Sequence, residues 1–159
     1  MRDEDKRGAL AMIPYGLYVV GVGRGESSGA YVANWISQAS FKPPLLMLGV
    51  LRKGRQHAII ESERALAVSF LASDQKEVAS RFLSFQAAAG ELLGGLAFTP
   101  GRATGSPVLD EAPGFVECRV RQIVAGGDHD VVVAEVVEAG WRRAAAPLML
   151  SDTGWSYAG

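Results

Sequence analysis

The stretch Tyr31–Pro44, YVANWISQASFKPP, decides how the rest of the chain is read. Ala30 to Ser37 is rich in β-branched and aromatic residues, and the two prolines close the segment, so an extended strand is predicted there. Period-two geometry puts Asn34, Ile36, Gln38 and Ser40 on one side and Trp35, Ser37 and Ala39 on the other. One side is therefore mostly polar. Such a ledge either offers amide and hydroxyl groups to the edge of a bound ring or is an edge strand with solvated side chains.

One apolar strand further on, Leu45 to Leu51, comes Arg52-Lys53-Gly54-Arg55-Gln56-His57. A short helix is predicted over Gln56 to Ser62, with Ile59 and Ile60 turned inward. Its first turn has unsatisfied N–H groups, and the cations before it suit a phosphate. A run of this kind by itself also fits a solvated turn. A hydrogen-bonding rim and a cationic corner are the two needs of flavin mononucleotide, FMN, which has a polar ring edge and a phosphate.

Outward from this centre, Tyr15 to Gly23, Ala65 to Leu71, Phe115 to Ala125 and Asp130 to Ala139 are also predicted strands. Glu117, Arg119 and Arg121 alternate with Val116, Cys118 and Val120, the pattern of a sheet with one wet face. Gly126-Gly127-Asp128-His129 has the backbone freedom of a tight hairpin turn, pairing the last two strands. A second helix is predicted from Asp74, with Glu77 at capping-box spacing and Val78 and Phe82 on one face. The stretch from Ser84 to Gly114 is the least regular and reads as a long covering loop. The whole predicts an antiparallel barrel or sandwich.

With 159 residues, 48% hydrophobic and 21% charged, the chain has the length and composition of one ordinary globular domain. Residues 1–12 read as a charged tail and residues 13–159 as a single domain. Sixteen Lys and Arg against seventeen Asp and Glu leave a net charge of -1, which argues against nucleic acid as a partner. Apolar runs are too short for a bilayer core of roughly 30 Å, and no signal-like block follows the N-terminus, so the expectation is a cytoplasmic protein with no membrane partner. The lone Cys118 sits at a strand packing position. One Cys and two distant His offer no metal-ligand spacing, so no metal is expected. Ser106, Asp128 and His129 lack a nucleophile elbow, and Gly21-Val22-Gly23-Arg24-Gly25 falls short of a dinucleotide fingerprint. Trp155 and Tyr157 put two aromatics into a tail that would otherwise fray.

The chain resembles the flavin reductase-like family. The resemblance rests on Val32–Pro44, on Lys53 and His57 before Ile60, on Ala67-Val68-Ser69-Phe70-Leu71, and on Gly127-Asp128-His129 leading into Val133-Ala134-Glu135-Val136. The flavin reductase modules of flavodiiron proteins and high-molecular-weight rubredoxins are similar, as are stand-alone flavoredoxin-type proteins, from whose Trp-x-Tyr-Gly-Gly-like tail Trp155-Ser156-Tyr157-Ala158-Gly159 departs at Ala158. The resemblance implies a mainly β, antiparallel Greek-key split barrel with two or more short helices, and a homodimer with FMN near the interface.

It further implies hydride transfer from NADH or NADPH to flavin, then to free flavin or an electron-transfer protein. The alternative is an FMN-binding electron-transfer module with no nicotinamide site of its own. The candidate cofactor-binding residues are Asn34, Trp35, Ser37, Gln38, Ser40, Arg52, Lys53, Gln56, His57 and Trp155. His129 is the candidate for orienting nicotinamide, and Trp155 or Tyr157 is expected to cover the ring.

Overall fold

β-branched runs bounded by Gly and Pro become strands throughout the computed structural model, which describes residues 1–157; the Ala158-Gly159 ending lies outside the described residues. Its strands are β1 (Tyr18–Val22), β2 (Gly29–Ala33), β3 (Ile36–Phe41), β4 (Pro44–Leu51), β5 (Ala65–Phe70), β6 (Gln86–Ala89), β7 (Leu92–Leu93), β8 (Leu96–Pro100), β9 (Pro107–Leu109), β10 (Gly114–Val124) and β11 (His129–Trp141). The helices are α1 (Asp3–Leu10), α2 (Arg55–Glu63) and α3 (Lys76–Ser80). Strand order is β3-β4-β11-β10-β5-β1-β2-β6-β7-β8-β9, every pair antiparallel.

The β10–β11 hairpin, paired through Val124↔Val131, lies between β4 and β5. That places β4 beside β11 and makes β4, β5, β10 and β11 a Greek key, the expected split barrel. Val20, Val22, Tyr31, Leu48, Val50, Leu66, Val68, Cys118 and Val132 fill its interior, with Ile60 of α2 closing one end. On the other face of β1, Leu17, Val19, Leu71, Phe82, Leu93, Leu109 and Leu148 form a second core. With both faces of β1 covered, Gly21 is required: a Cβ there would run into the carbonyl oxygen of Pro107. Burial pushes the Cys118 thiol up to about 12, chiefly by desolvation and then by the Glu117 charge, so it packs as an apolar side chain.

Several expectations need correction. The strand expected over Ala30 to Ser37 is two strands, broken at Asn34-Trp35 where the chain leaves β1 for β4. A bulge between Gln38 and Ser40 breaks the alternation again, so Asn34, Ile36, Gln38 and Ser40 do not share one continuous face. The capping box at Asp74 does not form: α3 starts at Lys76, and Gln75 instead accepts the Ala72 N–H and donates to the Glu111 carbonyl. The irregular stretch from Ser84 to Gly114 contains β6 to β9, short strands that sequence alternation is too brief to mark. Residues 1–12, read from sequence as a charged tail, carry α1, which packs none of its residues into either core.

Glu117, expected on a wet face, is instead 1% exposed. The β8–β9 loop closes over it and supplies three donors to one carboxylate oxygen.

The segment after β11 determines where the tail ends up. Ser73 N–H donates to the Ala146 carbonyl and Leu148 N–H to that of Leu71, while Leu17 and Leu150 bond to Leu148 and Tyr15 in turn. Residues 146–150 are thereby threaded between the approach to β1 and the exit of β5, and Trp155 reaches the second core. No helix among the described residues is long and apolar enough to cross a membrane.

Candidate functional site

The break at Asn34-Trp35 makes the site. Leu48 and Val50 point into the barrel, so Gly49 between them faces outward, and the Trp35 ring lies on it. A Cβ at Gly49 would stand 2.9 Å from Trp35 Cε3, and the Gly49 N–H donates to the Trp35 carbonyl at 2.9 Å. An isolated glycine inside a strand is the sequence signal for such a close approach.

Trp35 is the floor of a cleft of about 310 Å³ also walled by Tyr31, Asn34, Gln56, Phe85, His129, Trp155 and Tyr157. Ring centroids lie 4.7 Å apart for Trp35 and His129 and 5.6 Å for Trp35 and Tyr157. His129 Nδ1 sits 2.9 Å from Asp128 Oδ1, and its Nε2 sits 3.1 Å from the Tyr157 hydroxyl. The hydrogen bond from His129, and then its charge, hold the Asp128 carboxyl below its ordinary range. An ionised Asp128 only accepts, so in the neutral ring Nδ1 carries the proton and Nε2 accepts from Tyr157.

Three buried polar atoms of the cleft residues have no hydrogen-bond partner among the described residues: the Tyr31 hydroxyl, Asn34 Nδ2 and Trp35 Nε1. Buried donors are rarely left unmatched, and three within five residues of chain point to a polar ligand in the cleft. A flavin ring, apolar on its faces with carbonyl oxygens and nitrogens at its edge, fits that donor set and the aromatic floor. Tyr31 is held protonated, its pKa pushed far up by burial, and so remains a donor.

The cationic corner divides. Asp130 Oδ2 lies 2.8 Å from His57 Nε2, and its Oδ1 accepts from Gly126 N–H at 3.1 Å and faces Arg52 Nε at 3.3 Å. His57 and Arg52 thus bind the hairpin carboxylate, anchoring the turn that carries His129. The Gly126 N–H bond, opposed by burial and aided by His57 and Arg52, lowers the Asp130 pKa. A carboxyl with a lower pKa folded than unfolded stabilises the fold above its unfolded value, about pH 4, and that contribution disappears as pH falls through the folded pKa. Asp130→Asn is therefore expected to lower Tm at pH 7 and to make its decline in acid shallower, as thermal melts from pH 7 to pH 3 will show.

Lys53 and Arg55 are exposed and have no carboxylate partner within ion-pair distance among the described residues. The Arg55 guanidinium lies 5.0 Å over the Phe85 ring at the cleft wall.

Of the residues singled out from sequence, the cleft brings together Asn34, Trp35, Gln56, His129, Trp155 and Tyr157. Ser37, Gln38 and Ser40 lie on β3 and do not wall it, the Ser37 and Gln38 side chains donating to the Gln38 and Ser40 carbonyls of their own strand; nor do Arg52, Lys53 and His57 wall it. Tyr31, Phe85 and Asp130 were not anticipated. Their neighbours carry ordinary strand or turn signals, and only strand pairing shows what they face.

The fold is a split barrel with an aromatic cleft on its outer wall where two strands part, the concave and largely apolar shape that small-molecule sites take. The model of the flavin reductase like domain matches residues 10–158. An NADH:riboflavin 5'-phosphate oxidoreductase of Streptomyces pristinaespiralis is 31% identical over 146 residues, covering 91% of this chain and 81% of that protein. The diflavin flavoprotein A 1 of a Synechocystis strain is 28% identical over 84% of this chain, which spans 23% of that protein's length. The NADH:FAD oxidoreductase of Streptomyces globisporus C-1027, solved with NAD and FAD fragments, superposes with a TM-score of 0.80 at 26% identity, covering 96% of this chain and 93% of that one. The chain belongs to the flavin reductase like domain family.

Proposed function

We propose that this chain binds FMN in the Trp35 cleft and acts as an NAD(P)H-dependent flavin reductase. Three unmatched donors around one aromatic floor carry the reading. When bound, the flavin would supply the redox chemistry, accepting a hydride from reduced nicotinamide and releasing electrons to free flavin or a protein acceptor.

The chain's own residues do the holding and orienting. Tyr31, Asn34 and Trp35 donate to the ring edge, and the Trp35 indole excludes water from one side of it. Lys53 and Arg55 neutralise the phosphate beside the first turn of α2, whose cap, Gly54, supplies no side-chain bond to the turn's N–H groups. Asp128 fixes the tautomer of His129, leaving Nε2 to meet the nicotinamide carboxamide. Arg52, Gln56 and His57 support this corner, and Ser37, Gln38 and Ser40 extend the polar rim along β3.

Met47, Leu51 and Val131, each 40–43% exposed, continue the outer wall of β4 and β11 beside Trp35. This apolar strip supports a homodimer in which a second copy borders the cleft. Sedimentation as a monomer at micromolar concentration would reject it.

Replacing Lys53 and Arg55 together by Ala should weaken FMN binding roughly 10- to 100-fold, the size of one or two charge-assisted bonds, and leave riboflavin affinity unchanged. Equal losses for both flavins would remove the phosphate role. Anaerobic mixing of the FMN-loaded protein with NADH or NADPH tests the reductase itself: rapid bleaching is expected. One contact favours the electron-transfer module instead, because Tyr157 occupies His129 Nε2. Bleaching by dithionite alone would establish that alternative.

A further inference from the structure

We propose that Tyr157 is a gate, holding the place beside His129 in the absence of a second aromatic ligand and yielding it to the nicotinamide ring. The proposal rests on the flavin reductase reading and adds to it the residue that controls entry.

The tail is built as an anchor followed by an arm. Thr153 Oγ1 donates to the Leu150 carbonyl at 2.7 Å and accepts the Trp155 N–H at 3.0 Å, closing a turn. Trp155 packs on the second core, with Lys76 Nζ 5.6 Å above its ring. Gly154 has φ +74, the left-handed backbone that lets this turn close. Beyond the anchor the restraints stop. Among the described residues no backbone hydrogen bond holds Ser156 or Tyr157. Tyr157, 50% exposed, keeps its place through its ring edge on Trp35 and its hydroxyl on His129 Nε2.

The hydroxyl contact is one that a nicotinamide can replace in kind: the carboxamide N–H donates to the same Nε2 lone pair that now accepts the Tyr157 hydroxyl, and the heterocycle takes the space that the phenol ring leaves beside the flavin. His129 therefore exchanges one donor for another, and Asp128 keeps its proton on Nδ1 throughout.

If the arm competes in this way, apparent affinity is the intrinsic affinity scaled by the open fraction. Tyr157→Ala should lower the half-saturating NADH concentration in anaerobic stopped-flow reduction about tenfold, and Tyr157→Phe, which loses the hydroxyl bond alone, about three- to fivefold. The limiting rate and FMN affinity should move far less. Weaker NADH binding in Tyr157→Ala would make the residue a cover rather than a gate, and unchanged binding would make it a bystander; either overturns the proposal.

An independent reading comes from 3-fluorotyrosine labelling, with the Tyr157 fluorine resonance assigned by its absence in Tyr157→Phe. NADH should shift that resonance toward the solvent-exposed value in anaerobic protein, whether or not flavin is loaded. A resonance that stays in place overturns the gate. Protein that takes up no FMN, by its absorbance spectrum, fails the reductase reading separately, and the fluorine shift still decides the gate.

Discussion

Glu117→Ala should cost about 3 kcal/mol of folding stability, because it leaves buried donors behind at roughly 1–3 kcal/mol each, less what is recovered by not burying a carboxylate. Its Oε2 accepts the N–H groups of Ala103 and Thr104 at 3.0 and 2.7 Å and the Thr104 hydroxyl at 2.8 Å. Arg119 adds a bond to the Ala103 carbonyl at 2.9 Å, and Ser106 N–H bonds to the Thr104 hydroxyl. One side chain thus organises the loop that joins β8 to β9. Gly101 must lack a Cβ because the carboxylate fills that space. For a chain of this length Tm should drop by roughly 6–12 °C, read by thermal melting and checked by urea denaturation. Glu117→Gln, whose amide oxygen still accepts, should lose much less. A Glu117→Ala melt within about 2 °C of the wild type would show the loop to be held by other means.

Trp35→Ala should weaken FMN binding by about 2–4 kcal/mol, roughly 30- to 800-fold in Kd, while the protein stays folded. The substitution removes the cleft floor and the unmatched Nε1 donor together, and it separates His129 from the ring 4.7 Å away. Trp35→Phe separates the two contributions: it keeps an aromatic floor and loses the donor, so a loss of roughly 3- to 10-fold is expected. Flavin fluorescence quenching measures both. Wild-type affinity in Trp35→Ala would place the flavin elsewhere on the molecule and take the proposed function with it.

The strands were legible wherever a run was long enough to show its period. Leu45–Leu51, Ala65–Leu71 and the 115–125 and 130–139 pair all form close to their expected ends, and the Gly-Gly turn joins the last two. The short β6 to β9 strands were not legible, because two to five residues display no alternation. Asn34 and Trp35 do wall the cleft, though not by the geometry expected of them. Their polar and aromatic character made them candidates, but it is the break in the strand, not a shared face with Gln38 and Ser40, that turns them into the cleft.

Local chemistry by itself determined that this chain makes antiparallel sheet around an apolar interior, with a rim of donors and a cluster of cations near its fourth strand. Side-chain period and turn residues act over a few positions, and a sequence displays them directly. Tertiary structure alone decided which of those groups remain available to a ligand. Asp130 meets His57 across 73 positions of chain, and Tyr157 meets His129 across 28. Such pairings depend on which strands become neighbours and where the tail is threaded, and that choice is made by burial summed over the whole sheet.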